Sequence, residues 1–81
     1  MNTVSIPSAY YTNGKLTKPS GFTSVASWKR DLESEIKNYE EILRAGEVNK
    51  HKLTGAGRAF YALELCIARK LVTAIDNGEV Q

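Results

Sequence analysis

Residues 60–75 read Phe60-Tyr61-Ala62-Leu63-Glu64-Leu65-Cys66-Ile67-Ala68-Arg69-Lys70-Leu71-Val72-Thr73-Ala74-Ile75. Two apolar series run through them at steps of three and four. One is Phe60, Leu63, Ile67, Leu71 and Ala74; the other is Tyr61, Leu65, Ala68, Val72 and Ile75. Such steps mark one side of an α-helix. At about 100° per residue the two series merge into an apolar arc of roughly 200°. A surface helix needs an arc of only about 100°. One neighbouring helix leaves the excess uncovered, so a second surface is expected. In a chain of 81 residues that surface is expected to be another copy or a different partner. The series Tyr61, Leu65, Ala68, Val72 and Ile75 is assigned to that interface.

Working outward, Asp76-Asn77-Gly78 ends this helix, and its start lies between Asn49 and Thr54. Before it, Gly46-Glu47-Val48-Asn49-Lys50-His51-Lys52 is a short loop, which makes the flanking helices antiparallel neighbours. The first helix begins at Thr23 or Ser24, either of which can cap the open N–H groups of a first turn. Its apolar positions are Val25, Trp28, Leu32, Ile36, Tyr39 and Leu43, one narrow stripe with Trp28 in the core. Its other faces pair Lys29 with Glu33, Glu33 with Lys37 and Glu40 with Arg44 at i,i+4 spacing. Gly46 is the stop, able to take the left-handed conformation past the last turn.

Residues 1–23 hold both prolines and form a non-helical arm. Asn13-Gly14 predicts a type I′ hairpin turn between Tyr10-Tyr11-Thr12 and Lys15-Leu16-Thr17. A lone hairpin is marginal in water, so it must lie on the helices or stay mobile. The expected fold is therefore all-α: an antiparallel hairpin of two long helices over residues 24–81, an N-terminal arm over residues 1–23, and an oligomer.

A chain this short buries only about 60% of its unfolded surface, so association would help to stabilise it. A single cysteine, Cys66, excludes an internal disulfide, and with one histidine, His51, it cannot build a metal site within one chain. No catalytic residue, metal or cofactor is expected. No apolar run approaches a membrane span, and the first residues lack the pattern of a signal peptide. Together with an unpaired thiol, this reads as a cytoplasmic protein with no membrane partner. The net charge of +2 is too small to argue for nucleic acid. The positive excess sits in the arm, at Lys15 and Lys18, and around the loop, at Lys50, Lys52 and Arg58.

Glu64 falls inside the apolar arc. A buried carboxylate is costly and is usually paired or protonated. It is expected at the seam of two interfaces, bound to Lys29, Arg30 or a tyrosine hydroxyl. The best ligand candidate is the stretch Lys50 to Arg58, where cations, Gly55, Gly57 and a helix N-terminus coincide and favour an anion. It is neither a Walker A motif nor a dinucleotide fingerprint. Tyr10 and Tyr11 could stack a base beside Lys15 and Lys18, so the candidate site is Tyr10, Tyr11, Lys50, Lys52 and Arg58.

Phe60-Tyr61-Ala62-Leu63 with Ile67-Ala68-Arg69 is similar to the second helix of small phage anti-CBASS proteins. That resemblance implies a helical-hairpin oligomer that sequesters cyclic oligonucleotides, using tyrosine and basic residues near subunit contacts. The family's polar, tryptophan-containing approach to that helix is missing. Asn49-Lys50-His51-Lys52-Leu53-Thr54, followed by Phe60-Tyr61 and Leu71, resembles the middle of the Hha/YmoA nucleoid modulators, with a one-residue gap and without their charged residues after the aromatic pair. Three functions follow as expectations. The first is a non-enzymatic interaction protein that self-associates and binds a host protein or sequesters a ligand, such as a phage or bacterial anti-defence accessory protein. The others are a nucleotide-binding oligomer with pockets between subunits, and a nucleoid or transcription modulator.

Overall fold

A computed structural model describes residues 4–80. The arm runs extended into a 3-10 turn over Ser8–Tyr10 and then a tight antiparallel hairpin of β1 (Tyr11–Thr12) and β2 (Lys15–Leu16). Asn13 and Gly14 both take positive φ, 53° and 78°, as a type I′ turn requires. The N–H of Thr17 donates to the carbonyl of Tyr10 at 2.9 Å and extends the hairpin. Leu16 also bridges in parallel to Val80, which ties the arm to the end of the chain.

Helix α1 spans Val25–Ala45. Ser24 caps it: its hydroxyl accepts from the N–H of Ser27, and the Ser27 hydroxyl accepts from the N–H of Ser24. Two open donors are thereby satisfied reciprocally. Gly46 ends the helix in the left-handed region at φ 73°. Its N–H donates to the carbonyl of Ile42.

The segment expected to be a plain loop is a second hairpin, β3 (Glu47–Val48) with β4 (His51–Lys52). Its central residues Asn49 and Lys50 lie at φ 50° and 69°. The N–H of Leu53 closes it on the carbonyl of Gly46. Helix α2 then spans Gly55–Asp76, capped by the Thr54 hydroxyl, which accepts from the N–H of Gly57. The helices pack antiparallel as a hairpin. No helix among the described residues is long and apolar enough to cross a membrane.

The core is small and sits at one end. Trp28 and Leu32 of α1 meet Ala68, Leu71 and Ala74 of α2, with Leu16 of the arm closing over them. Ile6, Tyr10 and Phe22 pack against the same cluster. The arm is thus the second surface that the broad apolar arc requires, over the C-terminal half of α2. Along α2 the buried residues are Leu65, Ala68, Leu71 and Ala74, each three on from the last. Three residues advance 300°, so the buried line drifts by about 60° per step around the helix. It ends at Ala74, in a cleft shared with Ile6, Tyr11 and Leu16.

That drift corrects the assignment of faces. Leu65 and Ala68, expected at an interface, are buried within the chain. Val72 and Ile75 pack against the core cluster, and Tyr61 lies against Tyr39 of α1 at 5.9 Å between ring centroids. The series expected to face α1 is the one left partly open, because the arm stops short of its start. Phe60 is 54% exposed and Leu63 44%.

The expected i,i+4 pairs within α1 also give way. Lys29 reaches Asp76 at 2.6 Å, and Glu40 reaches Arg69 at 2.5 Å. Both bonds join α1 to α2 and fix their antiparallel register. Arg44 pairs with Glu41 instead, one turn back on its own helix.

Candidate functional site

The five residues of the sequence-derived ligand site do not converge within one chain. Tyr10 stacks on Trp28, with ring centroids 6.0 Å apart, at the start of α1. Lys50 and Lys52 stand exposed on the second hairpin, beyond the end of α1. From Trp28 to Gly46 the helix rises by about 27 Å at 1.5 Å per residue. Arg58 is turned the other way. Its guanidinium donates to the carbonyl of Leu43 at 3.4 Å, placing a cation at the negative end of the α1 dipole. Tyr11 is exposed and lines a groove on α2.

Glu64 is half-buried, and among the described residues it makes no hydrogen bond or ion pair. The cation expected beside it, Lys29, is held by Asp76. Glu64 instead lies on an acidic seam between the helices. Burial raises the carboxyl of Glu35 above the usual range; the neighbouring Asp31, by charge and hydrogen bond, and the charge of Glu64 raise it further. The hydroxyls of Tyr10 and Tyr39 are raised as well, first by burial and then by Glu35 and Glu64. The arm, α1 and α2 therefore meet beside the carboxylates of Glu35 and Glu64. Among the described residues no group of three or more histidine, cysteine or acidic side chains could hold a metal ion.

Two surfaces remain that the sequence reading did not mark. One is an aromatic chain toward the end of the helical hairpin where the second β-hairpin joins α1 to α2. Tyr39 meets Tyr61, and Tyr61 meets Phe60 edge to face at 5.3 Å. The rings run from α1 across α2 to the exposed Phe60 and Leu63.

The other is an open groove of about 930 Å³ along α2, lined by Val4, Ile6 and Tyr11 of the arm and by Leu43 of α1. Its floor includes Ala62, Leu65 and Cys66, with Arg69 and Lys70 on its margin. Cys66 is half-buried there. The small residues at 62, 66 and 74 were a visible signal, but only the path of the arm turns them into a groove.

The chain matches no protein-family model, no curated protein and no solved structure.

Proposed function

We propose that this chain is a non-enzymatic interaction module that self-associates through the N-terminal half of α2. One observation carries the reading: Phe60 at 54% exposure and Leu63 at 44% project from the end of the hairpin that the arm leaves uncovered. Large apolar side chains gathered on one surface are characteristic of contact sites, whereas single scattered ones are ordinary. A thin core adds to the argument, since a small chain gains stability by burying surface against a second copy. The interface moves from the expected Tyr61, Leu65, Ala68, Val72 and Ile75 to Phe60 and Leu63, flanked by Tyr61 and Tyr39. A host protein is the further partner such a module would present itself to, which accords with an accessory role in a bacterial or phage setting.

Sedimentation velocity at micromolar concentration tests the proposal. The unmodified chain should sediment as a dimer or larger. The double variant Phe60→Ser, Leu63→Ser should sediment as a monomer with an unchanged far-UV spectrum. A monomeric unmodified chain would reject self-association.

The nucleotide-binding reading would draw on Lys50 and Lys52, exposed on the second hairpin, together with tyrosines of another subunit. A thermal-shift series with nucleotides, cyclic nucleotides and short DNA reads it directly, because a ligand that binds only the folded state raises its stability.

A further inference from the structure

We propose that the groove between α2 and the arm is a binding site for a small amphipathic organic anion. It is a separate surface from the Phe60 and Leu63 face.

Shape and size come first. The groove follows α2 from Ala62 to Ala74, a length of about 18 Å at 1.5 Å per residue. Ala62, Cys66 and Thr73 are short and leave room along α2, while Leu65, Arg69 and Lys70 of the same helix line the rest of the space. Its volume is about 930 Å³, within the range of about 300–1,000 Å³ typical of small-molecule sites.

The lining then sets the chemistry. Ile6, Val4, Leu43 and Leu65 give it an apolar body. Of its charged margin, Arg69 is engaged by Glu40. Glu79 lies where the groove adjoins a smaller cleft holding Lys15. Lys70 is exposed and makes no ion pair among the described residues. An ammonium beside apolar walls complements a ligand with an apolar body and one acidic group. Arg69 and Lys70 outnumber Glu79 in the lining by one positive charge, so a cationic amphiphile of equal length would be disfavoured relative to an anion.

Cys66 supplies a reporter, being the only cysteine of the chain and part of the groove lining. The probes are decanoate and decyltrimethylammonium at equal concentration, below micelle formation. The readout is the rate at which neutral iodoacetamide alkylates Cys66, followed by mass spectrometry. Decanoate should slow alkylation saturably, by about fivefold at four times its Kd if the bound form is fully protected. Decyltrimethylammonium should leave the rate unchanged. Lys70→Glu, at an exposed position, should abolish protection by decanoate, and so should Ala62→Trp, which fills the groove. Unaltered alkylation with decanoate, equal protection by both amphiphiles, or full protection surviving in Lys70→Glu would each overturn the proposal. None of these outcomes depends on the oligomeric state, which the variants at Phe60 and Leu63 read separately.

Discussion

Tyr10 lies on Trp28 with ring planes 20° apart and centroids at 6.0 Å. Through this contact the arm becomes part of the fold. Trp28 is 2% exposed, and Tyr10 covers it from the 3-10 turn that leads into β1. Stacked aromatic pairs contribute about 0.5–1.5 kcal/mol beyond the area they bury. Tyr10→Ala is therefore expected to lower stability by about 1–3 kcal/mol, below the cost of removing a fully buried ring because Tyr10 is only half-buried. Trp28 fluorescence should shift to the red as water reaches the indole. Tyr10→Phe keeps the stack and should change little. An unshifted emission maximum in Tyr10→Ala would mean that the arm does not seal Trp28.

Leu63 and Leu71 belong to one apolar series on the helical wheel, yet the arm separates their fates. Leu71 is 1% exposed, and Leu63 is 44% exposed. Leu71→Ala is expected to cost about 2–5 kcal/mol, as removal of a buried leucine does. Leu63→Ala should stay within about 0.5 kcal/mol when measured below the concentration at which chains associate. Denaturant midpoints of the two variants read the contrast. Equal losses would show that the arm does not divide the series.

The wheel revealed that α2 has more apolar surface than one helix can cover. It could not say which part, because a wheel treats each face as constant along its length. The actual buried line drifts from Leu65 to Ala74, and its drift depends on how the helices cross and where the arm lies. Local signals were more legible. Ser24, Gly46, Asn13-Gly14 and the antiparallel pairing of the helices act over a few residues, and each is found as read. The second hairpin was not legible, since its strands are two residues each and its turn places Lys50, a residue without turn preference, in the left-handed region. The candidate site scattered for a related reason. Cations close in sequence, Lys52 and Arg58, sit on opposite sides of a cap that turns one to solvent and the other to the end of α1.

Glu35 carries the pH dependence of the seam. Its carboxyl is raised above its ordinary value by burial first, then by Asp31 and Glu64. Over the window between the ordinary and the raised value the folded chain therefore holds a proton that the unfolded chain has lost. Stability from this group is present in acid and falls as pH rises through that window. Glu35→Gln should stabilise the chain at neutral pH and remove this group's fall in melting temperature across that window. Lys29, raised by its bond to Asp76, retains its contribution across this window and loses it only in alkali, so it does not confound the comparison. Glu64→Gln should bring the Glu35 carboxyl part of the way back, as followed by NMR titration. An unchanged Glu35 titration in that variant would remove Glu64 from the seam.

Lys50 occupies φ 69° in the turn of the second hairpin. A side chain with a Cβ is strained there by about 1–2 kcal/mol, and glycine is not. Against that relief stands the greater freedom glycine gives the unfolded chain, about 0.5–1 kcal/mol. Lys50→Gly is therefore expected to stabilise the chain by at most about 1.5 kcal/mol, and Lys50→Val to destabilise it, since branching at Cβ worsens the clash. The same pair bears on the nucleotide-binding reading. If Lys50 only completes a turn, Lys50→Gly will raise the melting temperature and leave any nucleotide-induced shift intact. If Lys50 contacts the nucleotide, the melting temperature will rise while the ligand-induced shift shrinks. A fall in melting temperature for Lys50→Gly in the absence of ligand would show that this turn is not of the type I′ form.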